Sequence, residues 1–223
     1  MTFSAPLSKK ELKYGLIYLG ISLILIPLLL ALLPLREGQM NGLYYLLNFT
    51  AITLILRHFL LENFKIAVDQ LFPVLYYAAL GYLGYETFGR IFTVVTLNID
   101  PEFLNINDQT IYAMLQEDFL PMAIGTVLLV PVAEECFFRG LIFRGMYDRN
   151  PIFAYVLSMV MFSAIHVAGY LGTVTPLQFL LCFIQYLPAG YCLCFAYRHS
   201  GSIFSPILLH TFINALGIAS FVR

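Results

Sequence analysis

With 223 residues, 60% of them hydrophobic and 11% charged, the chain carries about half the charged fraction of an ordinary soluble domain, which excludes water as its main solvent. A formal net charge of −1 leaves no basic face for nucleic acid, and the few Lys and Arg sit mostly at the ends of apolar runs. A membrane β-barrel is excluded as well, because it needs segments of about ten residues that alternate strictly, and residues 21–33 are apolar without alternation.

The apolar runs are roughly 18 to 25 residues long, the length at which an α-helix crosses a hydrocarbon core of about 30 Å. In chain order they predict an all-α polytopic membrane bundle of seven spans: residues 14–33, 43–60, 71–97, 119–143, 152–171, 177–197 and 203–221. An eighth span stays open. The third candidate is long and holds Glu86 and Arg90, so it is expected to be strongly tilted or to continue into an interfacial helix. The basic start (Ser8, Lys9, Lys10, Lys13) has no small-residue cleavage site after the first run, which predicts a retained span. No internal repeat is evident. Residues 1–118 are expected to hold about three spans and an acidic outer loop, and residues 119–223 a core of four spans.

The breaks between runs alternate in charge. Lys9, Lys10 and Lys13, then Arg57 and Lys65, then Arg144 and Arg149, then Arg198 mark one side, which their positive charge makes cytoplasmic. The other side has Asp100, Glu102, Asp108, Glu117 and Asp118 without Lys or Arg, and only Arg36 runs against the bias. The N-terminus is therefore expected inside. Cys136, Cys182, Cys192 and Cys194 lie in apolar helices and form no CxxC pair, so they are expected as buried small hydrophobes.

Chemistry concentrates in the last spans. The fourth reads Pro131-Val132-Ala133-Glu134-Glu135-Cys136-Phe137-Phe138-Arg139, and each such charge costs about 3 kcal/mol at mid-bilayer. Glu135 and Arg139, at i and i+4, can share a helix face and pair. Glu134 lies about 100° around the helix, with no partner from its own span. Pro131 removes a backbone donor and predicts a kink beside the acids. The fifth span contains Phe162 and His166, and the seventh His210 and Asn214, again i and i+4.

Glu134 and His166 are each sixteen residues from Asn150, where spans four and five turn, so both should lie about 24 Å from that turn. They are expected level with each other. If the helices overhang the membrane, the site opens toward the cytoplasmic half. A partly desolvated carboxylate can take a proton from water, and imidazole and carboxamide donors can stabilise an oxyanion, a term worth about 3 kcal/mol per donor elsewhere. That is amide hydrolysis without a Ser or Cys nucleophile.

Glu134-Glu135-x-x-x-Arg139, Phe162-x-x-x-His166 and His210-x-x-x-Asn214, in this order on separate helices, resemble the three motifs of the CAAX protease and bacteriocin-processing (CPBP or Abi) family, which includes the type II CAAX prenyl proteases. The resemblance covers roughly residues 119–221. It implies Glu134 as the water-activating base, His166 as its partner, and His210 with Asn214 shaping the oxyanion site, with Glu135, Arg139 and Phe162 in support. It also implies a membrane-associated peptide or protein as substrate, lipidated in the CAAX case, amid membrane lipids and without nucleic acid. The plasma membrane of a prokaryote is the expected location. No cofactor is required on this reading, although Glu134, His166 and His210 could also form a His₂Glu zinc set. Two other classes stay open: an immunity or scaffold protein that keeps the fold without catalysis, and a proton-coupled transporter, which would carry inverted repeats that the sequence does not show.

Overall fold

The computed structural model describes residues 5–221. Residues 1–4 and 222–223, at the edges of the two expected regions, lie outside the described residues. Among the described residues nine helices run in chain order: α1 (Lys9–Leu30), α2 (Glu37–Ile55), α3 (Arg57–Asp69), α4 (Leu71–Ile99), α5 (Ile106–Glu117), α6 (Phe119–Tyr147), α7 (Pro151–Val167), α8 (Pro176–Ser200) and α9 (Phe204–Phe221). Five of these are long and apolar enough to cross a membrane, or six if α2 and α3 count as one broken span. The sequence led to an expectation of seven.

Two elements account for the difference. Residues 43–60, expected as one span, break at Leu56, where α2 and α3 meet at 83°. α3 has an inward stripe of Phe59, Asn63 and Ala67, and it presents Leu61, Phe64 and Val68 outward, the two-faced pattern of a helix lying along an interface. The third expected span forms one continuous helix, α4, of 29 residues. It falls outside the five because its Tyr-rich first half and Glu86 and Arg90 lower its hydropathy.

Polar locks define the two ends of the bundle. At one end Glu11 caps α1 through Ser8 and also accepts the Phe59 backbone N–H at 2.9 Å. Asn63 accepts the Ile203 N–H at 2.8 Å, and its own carbonyl accepts from Ser202 Oγ at 2.9 Å. This ties α3 to the turn where Gly201, at φ 74°, ends α8 in the left-handed conformation that glycine adopts without steric cost. At the other end Arg36 pairs with Asp118, so the one cation against the charge bias is matched by an acid of the same end.

α6 is not a uniform α-helix. Residues Gly125–Leu129 and Cys136–Phe143 wind as π-helix, with Val130 N–H reaching the Gly125 carbonyl and Arg144 N–H the Arg139 carbonyl. Pro131, just after the first widened stretch, has no N–H to continue the α-helical ladder. Such widened turns are frequent at functional sites, and here the second begins directly after Glu135. α6 and α7 are tied by Ser158 Oγ donating to the Phe138 carbonyl at 3.0 Å. α7 and α8 approach closely at Gly190, where a Cβ would meet the Met159 Cα at 3.0 Å. All four cysteines are buried and unpaired.

Candidate active site

Burial dictates the centre of the site. Glu135 and Arg139 have fully buried side chains, and their ion pair spans 3.1 Å. Each charge would cost several kcal/mol alone, and the surrounding helices supply further partners. Arg139 donates to the Gly190 carbonyl at 3.0 Å and stands 4.5 Å from the centre of the Phe162 ring, a cation–π contact. Glu135 Oε1 also lies 2.9 Å from His210 Nδ1. The Glu135–Arg139 pair therefore gathers α6, α8 and α9 around it.

Glu134 and His166 meet across α6 and α7, with Oε2 and Nε2 3.9 Å apart. His166 Nδ1 lies 2.8 Å from the Phe162 carbonyl. A carbonyl only accepts, so Nδ1 carries the proton and Nε2 of the neutral ring is left as an acceptor facing the acid. Glu134 Oε2 is buried with no hydrogen-bond partner among the described residues. Phe162 does more than pack: its ring lies 4.6 Å from His166 and 5.7 Å from His210. Asn214 Nδ2 donates to the Thr126 carbonyl of the first widened turn at 2.8 Å.

The four expected residues do not share one cavity. His166, His210 and Asn214 line a cleft of about 230 Å³ between α4, α5, α7, α8 and α9. Glu134 lines a neighbouring, mostly apolar cavity of about 40 Å³ with Tyr44, Tyr45 and Asn48 of α2. The Glu134–His166 contact joins the two.

The larger cleft contains residues that sequence patterns did not single out. Tyr186 stacks on His166 with ring centres 4.3 Å apart and planes at 25°. Its hydroxyl accepts from Asn107 Nδ2 at 2.9 Å and donates to Asp108 at 3.3 Å. Asn105, which caps α5, donates to Gln185 at 2.9 Å. Burial pushes the Asp108 carboxyl above the ordinary aspartate range, while the Tyr186 hydrogen bond pulls it back. The run Asn105-Ile106-Asn107-Asp108 reads as a helix N-cap, the one sequence signal that could have found this cap. Nothing local marks Tyr186 among fifteen tyrosines.

One expectation is corrected. His166 belongs to the last turn of α7, and Asn105 and Asp108 belong to the acidic connection, so the cleft opens at that end of the bundle and not toward Arg144 and Arg149. The reason is length. α7 has 17 residues, so the distance from Asn150 to His166 uses the whole helix and leaves no overhang. Among the described residues no three His, Cys, Asp or Glu side chains come together as a metal-binding group. His210 Nδ1 is held by Glu135, and Glu134 faces the other cavity.

Residues 116–216 match the family described as type II CAAX prenyl endopeptidase Rce1-like. No curated protein and no solved structure matches the chain.

Proposed function

We propose that the chain, whose residues 116–216 match the type II CAAX prenyl endopeptidase Rce1-like family, is a member of the CAAX protease and bacteriocin-processing family and an intramembrane endopeptidase in which Glu134 activates a water molecule to cleave a peptide bond of a membrane-associated substrate. The observation that carries this reading is the Glu134–His166 contact of 3.9 Å between two helices, with His166 held in one tautomer by the Phe162 carbonyl. Two acceptors at that separation suit a water about 2.8 Å from each. Such a water donates both hydrogens and keeps its lone pairs for the substrate carbonyl carbon. As the new C–O bond forms, Glu134 takes the proton and later hands it to the departing amine.

The oxyanion falls to His210 and Asn214. A doubly protonated His210 gives Nδ1–H to Glu135 and Nε2–H to the oxyanion, so the buried Glu135–Arg139 pair fixes the ring that donates. Asn214 keeps one N–H beyond its bond to Thr126. In this reading the reaction proceeds without a metal, because the donor set is divided between two partners and two cavities.

α2 and α4 count as crossings in the same proposal, which gives seven with α3 along the interface. The N-terminus is cytoplasmic in the plasma membrane of a prokaryote, from the charge bias, and the cleft then faces outward. A membrane peptide presented from the outer face suits that geometry better than a lipidated protein arriving from the cytoplasm.

The test is to purify Glu134→Ala and His166→Ala beside the parent chain and offer each a prenylated CAAX peptide and a panel of membrane peptides. Loss of cleavage in both folded variants is expected. Biological function unchanged in both variants would favour the immunity or scaffold role.

A further inference from the structure

The cleft that holds His166 also holds a charge that the proposed hydrolysis leaves unused. Asp108 lies in the first turn of α5 and lines the cleft of about 230 Å³ together with Asn105, Gln185 and Tyr186. Its carboxylate accepts from the Tyr186 hydroxyl at 3.3 Å, and the Tyr186 ring stacks on His166 at 4.3 Å. One tyrosine thus separates the acid from the imidazole, a gap that about two residues of extended chain would span. Among the described residues no Lys or Arg lines the cleft. On α4, Arg90 is engaged by Glu86 at 3.3 Å, and His210 on α9 by Glu135 at 2.9 Å.

An acid in the first turn of a helix complements the helix dipole, and that would account for Asp108 on an open surface. It does not account for a carboxylate in a cleft, beside the ring that stacks on His166. Two further observations point to an occupant. Gly89 of α4 also lines the cleft, and a Cβ there would meet nothing within 4 Å, so this part of the wall leaves room for a chain. The connection around Asp108 carries Asp100, Glu102, Glu117 and Asp118 without Lys or Arg, and of these Asp118 is matched by Arg36. Charges of one sign around a concave site raise the local concentration of the opposite sign.

We propose that Asp108 makes this cleft select peptides that carry a Lys or Arg side chain within about two residues of the scissile bond. The inference rests on the endopeptidase reading and adds the charge of the substrate to it. An ammonium or guanidinium beside Asp108 gains a charge-assisted hydrogen bond. Burial raises the Asp108 carboxyl, and an incoming cation offsets that by favouring the ionised form. An acidic side chain at the same place meets like charge, which is discrimination by repulsion.

The test reads binding and cleavage separately. Fluorescent peptides with an apolar run of about 20 residues and a flank of Lys, Gln or Glu are offered to the full chain in neutral detergent. The proteins are the parent, Asp108→Asn, Asp108→Lys and, as a charge control, Glu102→Gln, each also carrying Glu134→Gln so that anisotropy reports binding without turnover. The Lys peptide should bind the parent about tenfold more tightly than the Glu peptide, and kcat/KM should follow the same order. Asp108→Asn should shrink that ratio to about threefold or less, Asp108→Lys should reverse it, and Glu102→Gln should keep it. Equal binding of the Lys and Glu peptides by the parent, an unreversed preference in Asp108→Lys, or the same loss in Glu102→Gln would each overturn the proposal. Selective binding by a parent that cleaves none of the peptides would uphold the charge selection and sink the endopeptidase reading instead.

Discussion

His210 Nδ1 and Glu135 Oε1 lie 2.9 Å apart on helices that are 75 residues distant in sequence, and the same oxygen holds Arg139 at 3.1 Å. Glu135→Ala leaves a fully buried guanidinium without its counter-charge, which typically costs about 3–5 kcal/mol. The variant should unfold at markedly lower temperature or denaturant in detergent than the parent. Replacing both partners, Glu135→Leu with Arg139→Met, should be less destabilising than the single change. A Glu135→Ala protein that unfolds with the parent would show that the pair carries no structural role.

Tyr186 acts through His166, as a positioning residue. Tyr186→Phe keeps the ring stacked at 4.3 Å and removes only the hydroxyl contacts with Asn107 and Asp108, so the rate should fall by a few-fold at most, in line with about 1 kcal/mol for a hydrogen bond. Tyr186→Leu removes the stack and should lower kcat about tenfold or more with a smaller change in KM. Equal kcat in all three proteins would remove Tyr186 from the site.

Metal dependence is expected to be absent. Treatment with o-phenanthroline, followed by dialysis, should leave cleavage unchanged, and elemental analysis should find zinc well below one per chain. Inhibition that added zinc reverses would return Glu134, His166 and His210 to the role of ligands.

Cysteine labelling decides which way the cleft faces. The four native cysteines are buried, so a single Asn107→Cys can be probed in intact cells with a membrane-impermeant maleimide, beside Arg149→Cys at the opposite end. Labelling of position 107 and protection of 149 is expected from the charge bias. The reverse pattern would place the cleft on the cytoplasmic side and restore a lipidated cytoplasmic protein as the natural substrate.

Much of the site was legible because its logic is local. The Glu135–Arg139 pair follows from i, i+4 spacing and from the cost of an unpaired charge in lipid. The level of Glu134 and His166 follows from counting helical rise on both sides of Asn150. The contacts that reach between helices were hidden. Nothing in the spacing assigns His210 to Glu135 instead of Glu134, or turns Glu134 toward Tyr44 and Tyr45, because those facts depend on helix rotation and on the widened winding of α6. The break at Leu56 was equally hidden: Arg57 and His58, directly after it, do not by themselves mark a bend, and the contacts that anchor α3 to other elements run through Asn63 and the distant Glu11. In α4 length and hydropathy part company: its 29 residues are one continuous helix, while its tyrosines and the Glu86–Arg90 pair dilute an otherwise apolar run.

The most direct measurement is a double-mutant cycle on cleavage rate with Glu134→Gln, His166→Ala and the two combined, all reconstituted in vesicles and checked for folding. Groups that hold one water act as a unit, so each single change should cost about a thousandfold or more and the double change little beyond the worse single. Independent, additive losses, or a Glu134→Gln protein that still cleaves at the parent rate, would contradict water activation by Glu134 and His166.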